Sequence, residues 1–294
     1  MEKIGYFLFR VVVGLFSIIP FSLLYFFSDG LFYLFYYVTK YRKKVVVQNL
    51  KNSFPEKSAA EIEQITKDFY RNFCDILLEG IKGLSMSKQE LVKRYRITNP
   101  EFLNAYCDKN SSLIAVGSHF TNWEWGVLCS SLQVKHKTIG FYMPLSNKTI
   151  DTYIKESRAA WGMYLVSVRE TLKGFESNKE TPCIYILLSD QSPSNKEKAV
   201  WLNFMNQNTA FLHGAEKYAQ LCNYPVVFID IKRVKRGFYE VEFSLLSENP
   251  LETKPTEITK LFAKKLEKTI LYKPAHWLWS HRRWKLKASP KESI

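Results

Sequence analysis

The chain is short of acid: 28 aspartates and glutamates stand against 42 lysines and arginines, for a formal charge of +14 and a pI near 9.4. Its surface therefore selects for polyanions, whether nucleic acid, anionic lipid headgroups or an acidic carrier protein. Cysteine is sparse as well. Cys74, Cys107, Cys129, Cys183 and Cys222 are widely spaced and form no Cys-x-x-Cys, which excludes a disulfide framework and a cysteine zinc site and leaves reduced packing residues of a cytosolic domain. No ligand set falls at metal-binding spacing, so no metal is expected. Internal repeats and low-complexity linkers are missing, which argues against solenoids and strings of modules. The 294 residues are enough to bury a real core.

What the chain has in excess is apolar surface at its start. Residues 4–38 are nearly all apolar or aromatic, broken chiefly by Arg10, Pro20 and Ser28-Asp29-Gly30. Residues 11–27 are at the short end of the ~20 that cross a bilayer, and 31–38 are too few to cross alone. A small-residue cleavage site is lacking, which excludes an ordinary secretory signal. Lys40, Arg42, Lys43, Lys44 and Lys51 follow, and flanking cations stay on the cytoplasmic side and bind anionic headgroups. Residues 1–40 are thus expected to anchor the protein in a membrane, spanning it or bent at Pro20 within one leaflet, with residues 41–294 as a cytoplasmic domain. A buried helical hairpin is the alternative, but the aromatic density fits an interfacial anchor better.

Beyond the basic cluster the pattern is globular. Ser58 and Glu61 form a capping box, and Ile62, Ile65, Phe69, Phe73, Ile76, Leu77 and Ile81 recur at helical spacing up to Gly83. Apolar runs at 112–117, 138–143, 164–168 and 183–188 alternate with helical periods at 147–160 and from about Arg169. This predicts one α/β domain, a mixed sheet flanked by helices. Runs 226–234 and 238–246 meet at Lys235-Arg236-Gly237 and predict an antiparallel hairpin at one sheet edge. A last helix is expected over 256–272.

The stretch with chemistry is Ser118-His119-Phe120-Thr121-Asn122-Trp123-Glu124-Trp125-Gly126. It follows the apolar run 112–117, so His119 is placed at a strand end, where α/β sheets keep their sites. Glu124 can hold one imidazole nitrogen and leave the other to take a proton from a hydroxyl. Five residues are about 500° of helical rotation, so the pair requires a bent strand-to-helix junction. The bare spacing is common by chance. Other strand ends add Phe141-Tyr142-Met143-Pro144-Leu145, leading into a helix with Arg158, and Ser189-Asp190-Gln191-Ser192-Pro193. Arg158 suits a phosphate, although most helix arginines are merely solvated, and Asp190-Gln191 taken alone reads as a turn cap.

In this order, together with Trp277-Leu278-Trp279-Ser280-His281-Arg282-Arg283-Trp284-Lys285, these blocks resemble the late lipid A biosynthesis acyltransferases, the lauroyl and myristoyl transferases that use acyl carrier protein thioesters. They lie within the wider glycerolipid acyltransferase superfamily. The resemblance implies an inner-membrane enzyme facing the cytoplasm, with His119 and Glu124 as the His-x4-acid pair and Arg158, Asp190 and Gln191 in the substrate site. It departs at Asn203-Phe204-Met205-Asn206, where the family usually has a glycine, and at His213-Gly214-Ala215, where it often has Gly-Pro.

Chemically, a thioester is already activated, so a base that deprotonates the attacking hydroxyl suffices. No Cys or Ser nucleophile motif lies beside His119, which fits direct transfer without an acyl-enzyme. No cofactor is expected beyond the acyl carrier protein as co-substrate. The partners implied are that carrier, a lipid A precursor or other membrane lipid, and an anionic membrane surface. The aromatic, basic tail also has the composition of a single-strand nucleic acid reader, but a headgroup-level position explains it better and no nucleic acid is expected. Two alternatives stand beside lipid A acylation: transfer to another acceptor (an aminoacyl lipid, lysophospholipid or glycolipid), and a non-enzymatic, membrane-tethered binding protein.

Overall fold

The computed structural model describes residues 2–287, with side chains from Ile4 onward; residues 288–294 of the expected 41–294 domain lie outside the described residues. Two helices open the chain, α1 (Glu2–Ile18) and α2 (Phe21–Tyr33), separated at Pro20, which has no N–H to continue a helix but suits the start of one. A π-helical turn, Leu34–Val38, extends α2. After α3 (Lys43–Ser53), α4 (Ala59–Gly83) begins at the expected capping box, in which Ser58 and Glu61 bond reciprocally. The chain continues through α5 (Lys88–Arg94), β1 (Tyr95–Ile97), α6 (Pro100–Cys107), β2 (Leu113–Gly117), α7 (Trp123–Cys129), β3 (Lys137–Tyr142), α8 (Lys148–Ala159), β4 (Tyr164–Ser167), α9 (Thr171–Glu176) and β5 (Cys183–Leu188). The hairpin β6 (Ala199–Phe204) and β7 (Gln207–Leu212), α10 (Gly214–Cys222), the hairpin β8 (Val226–Lys235) and β9 (Phe238–Ser247), and α11 (Glu257–Tyr272) complete it.

The mixed α/β class is as expected. Seven strands form one sheet in the order β1-β9-β8-β2-β5-β3-β4. From β8 to β4 neighbours run parallel, and β9 is antiparallel to β8. The β8–β9 hairpin is therefore not at the edge. β1 pairs outside it, a strand too short to display an alternating pattern. The β6–β7 hairpin forms a separate two-stranded sheet. Its turn holds Met205 and Asn206 at φ 51° and 60°, a conformation glycine adopts more readily, so the loss of the family's glycine leaves the turn in place.

Topology fixes where a site can form. The connection leaving β2 runs through α7 toward β3, while the one leaving β5 returns through α10 to β8 on the other side of β2. Adjacent strands whose connections diverge open a crevice at their carboxyl ends. One face of the sheet, with Ile114, Val116 and Phe228, packs on α4, α10 and α11; the other, with Leu113, Ala115 and Val227, packs on α5, α6 and α7.

The N-terminal helices are tied to α4 by polar side chains at helical spacing. Asp75 accepts from Ser28 Oγ at 2.6 Å, Glu79 from Tyr25 Oη at 2.8 Å, and Lys82 Nζ donates to the carbonyls of Phe16, Ser17 and Ile19 at 2.7–2.9 Å. Arg236 bonds both Asp29 and Asp75. Phe32 and Tyr36 are buried with the core, whereas Phe7, Ile18, Phe26 and Val38 are each at least 66% exposed. The stretch Phe21–Val38 is long and apolar enough to cross a membrane.

Candidate active site

β2 is buried along its whole length, and the chain leaves it at Ser118. Thr121, fully buried, takes a left-handed φ of 50°, and Asn122 then caps α7 by accepting from Trp125 N at 2.9 Å. This is the bent junction that the His119-to-Glu124 spacing requires. Thr121 N bonds His276 O at 2.9 Å and Leu278 N bonds His119 O at 3.1 Å, so the C-terminal tail pairs with the loop along its length.

The structure corrects the expected partner of His119. Its Nδ1 lies 2.7 Å from Oδ1 of Asp190, not against Glu124. The second carboxylate oxygen of Asp190 accepts from His119 N at 2.9 Å and from Trp277 Nε1 at 2.8 Å. The physical reason is the sheet register: Gly117 pairs with Leu188, and Ser189 N bonds Gly117 O at 3.0 Å, so the turn after β5 faces the turn after β2. Burial alone would lower the His119 pKa and raise that of Asp190. Their mutual attraction and bonding override it, leaving His119 above and Asp190 below their ordinary values. Donation from Nδ1 to Asp190 leaves Nε2 as an acceptor, and Gln191 Nε2 approaches it at 3.1 Å. His119 keeps 17% side-chain exposure.

Glu124 instead pairs with Arg158 Nη2 at 2.7 Å and accepts from Trp123 Nε1 at 3.2 Å. It remains close enough for its charge to favour protonated His119. Trp123 packs its ring edge-to-face on the imidazole, with centroids 5.1 Å apart. The five residues singled out from the sequence thus converge in two groups, His119-Asp190-Gln191 and Glu124-Arg158.

Beside them an apolar cleft lies between α7 and the sheet, lined by Ser118, Trp123, Arg158, Met163, Ile186, Leu188, Ile229 and Phe243 among others. Its lining, mostly apolar with a few polar groups, is that of a small-ligand site. Glycines let its walls pack closely: a Cβ on Gly126 would meet Tyr95 Oη at 2.7 Å, and one on Gly140 the Met163 sulfur at 3.2 Å.

Sequence reasoning missed the role of the tail. Trp277 and Trp279 are 3% and 0% exposed, with Trp279 Nε1 bonding Pro274 O and Trp284 Nε1 bonding Thr209 Oγ1. They therefore offer no surface to headgroups or bases. Arg283 is buried with its guanidinium 4.6 Å from the centre of the Phe211 ring, and burial pushes its pKa down to about 10. His136 is buried and bonds Ser111 O at 3.1 Å. A buried indole N–H needs an acceptor, and that of Trp277 finds it in Asp190. Among the described residues no cluster of three or more His, Cys, Asp or Glu is placed to hold a metal.

A buried His–Asp pair whose second imidazole nitrogen meets the Gln191 amide, next to an apolar cleft, is an arrangement able to exchange a proton with a group bound beside it. Residues 1–286 match the family described as bacterial lipid A biosynthesis acyltransferase, and the chain belongs to that family. It is 22% identical over 262 residues to the lipid A biosynthesis palmitoleoyltransferase of Escherichia coli (strain K12), covering 87% of this chain and 82% of that protein. The lipid A biosynthesis acyltransferase of Shigella flexneri matches to the same extent. The protein is an acyltransferase of lipid A biosynthesis.

Proposed function

We propose that the protein moves a fatty acyl chain from an acyl carrier protein thioester to a hydroxyl of a lipid A precursor by direct attack, with His119 as general base. The observation that supports this most is the 2.7 Å bond from His119 Nδ1 to Asp190 beside the apolar cleft. The acceptor hydroxyl displaces the Gln191 amide from Nε2, gives its proton to that nitrogen and attacks the thioester carbonyl. The C–S bond then breaks and the departing thiolate recovers the proton from the imidazolium. Asp190 fixes the tautomer and stabilises the imidazolium, the role a buried carboxylate has in hydrolase triads. Glu124 adds negative charge nearby and holds Arg158, whose fork is assigned to a phosphate or carbonyl oxygen of the substrates. The cleft takes the acyl chain.

The same reading puts the protein at the cytoplasmic face of the inner membrane. The exposed apolar sides of α1 and α2 enter the lipid while Asp75, Glu79 and Lys82 hold their other sides to α4. Hence α2 lies along the surface of one leaflet and does not cross. The test is mass spectrometry of products made by purified protein from a series of acyl carrier thioesters, including palmitoleoyl, with lipid A precursors and other lipid hydroxyls as acceptors. Acylated lipid A precursor, lost in His119→Ala, is expected. Transfer to another lipid class alone would overturn the acceptor, and full activity in His119→Ala would overturn the mechanism.

A further inference from the structure

We propose that Glu79, outside the reacting site, is a positioning residue that sets the His119 loop through Asn122. This rests on the reading of His119 above. Glu79 is 0% exposed and lies on the face of α4 that carries α7. Its Oε2 accepts from Asn122 Nδ2 at 2.7 Å and from Tyr239 Oη at 2.6 Å, and its Oε1 from Tyr25 Oη at 2.8 Å. Its backbone carbonyl accepts from Trp125 Nε1 at 2.8 Å. One residue thus holds both the cap and the first turn of the helix that follows the loop.

The Asn122 amide is divided between two tasks. Its oxygen must accept from Trp125 N to cap α7, so its nitrogen must find an acceptor in a site with no exposure. Glu79 supplies that acceptor. The residue before the amide is Thr121 with its left-handed φ, and the residue before Phe120 is His119. An unusual backbone conformation at a non-glycine residue persists only where the surroundings over-determine it. Here they do so from two sides, His276 on the Thr121 amide and Glu79 on Asn122. An unpaired buried carboxylate is an expensive way to fill space, and an apolar side chain would serve packing alone. A carboxylate suits the site because Asn122, Tyr239 and Tyr25 all donate to it.

The arrangement predicts an exchange of partners. Asn122→Asp, studied at alkaline pH where Glu79 is ionised, keeps the cap oxygen but sets one carboxylate against another. Adding Glu79→Gln restores a hydrogen bond running the other way, and Tyr239 and Tyr25 can each still bond the new amide. All three variants preserve shape, and melting temperatures of the full-length proteins check folding. Acyl transfer and hydrogen exchange of residues 118–125 are then measured together. In Asn122→Asp, kcat is expected to fall roughly 10–100-fold, the range for losing a charge-assisted bond, with KM for the thioester little changed and faster exchange in the loop. Glu79→Gln alone loses a few-fold, and the double variant recovers both turnover and exchange protection.

Recovery of neither kcat nor protection in the double variant, or wild-type kcat and exchange in Asn122→Asp, would overturn the proposal. If the wild type shows no acyl transfer, the reading of His119 fails separately, and the exchange data still decide whether Glu79 orders the loop.

Discussion

At the scale of single residues, two acids near one imidazole do different work. Asp190 touches His119 and Glu124 does not, so Asp190→Asn should lower kcat by about 10²–10⁴-fold, the range for disabling a general base. Glu124→Gln should slow the chemical step less. Because Asp190 raises the His119 pKa, activity should climb with pH through an apparent pKa above 6.5 and level off beyond it. In Asp190→Asn that limb should move to lower pH, and an unmoved limb in a pH–rate series would assign it to another group. Burial raises the Glu79 pKa to about 7. For an acid raised in this way, the stabilising contribution is complete below about 4.5 and is lost as pH rises through about 7. The loss is about 3 kcal/mol, and Glu79→Gln should abolish that part of the slope in urea unfolding at pH 5 and pH 8. The placement of His119 and Gln191 just past strand ends was legible from the apolar runs before them, and that of Arg158 on a helix from the helical period that carries it. The pairing was not legible, since His119 and Asp190 are far apart in sequence and meet only through the neighbouring positions of β2 and β5.

At the scale of elements, α4 is the member on which others are seated. Its apolar spacing and capping box announced its length and start. Its polar residues Asp75, Glu79 and Lys82 gave no such notice, because nothing local distinguishes a solvated face from one that grips two other helices. The same holds for the tail, where Trp mixed with Lys and Arg is the composition of an interface and, here, of a buried clasp on Asp190. Close packing of α7 on α4 depends on Gly83: a Cβ there would meet Trp125 Nε1 at 2.8 Å and Leu128 Cδ1 at 2.9 Å. Gly83→Val should therefore destabilise by about 1–3 kcal/mol through overpacking, read as a lower melting temperature. An unchanged melting temperature would mean that the two helices separate freely.

At the scale of the whole molecule, charge and apolar surface divide the labour. The excess of +14 should draw the protein to anionic vesicles and to an acidic carrier, and the exposed side chains of α1 and α2 should hold it at a bilayer. Screening shortens electrostatic reach to about 3 Å at 1 M salt, so co-sedimentation with anionic vesicles should weaken markedly between low and high salt. Indifference to salt would leave apolar insertion as the whole attraction. The sheet with helices on both faces was readable from alternating runs. The order of its strands was not, because strand adjacency is a property of the assembled chain.

The amide of Gln191 resting on His119 Nε2 carries a final consequence. On the mechanism proposed above, any hydroxyl must replace this amide before His119 can act on it, so Gln191 sets a threshold that every acceptor has to pass.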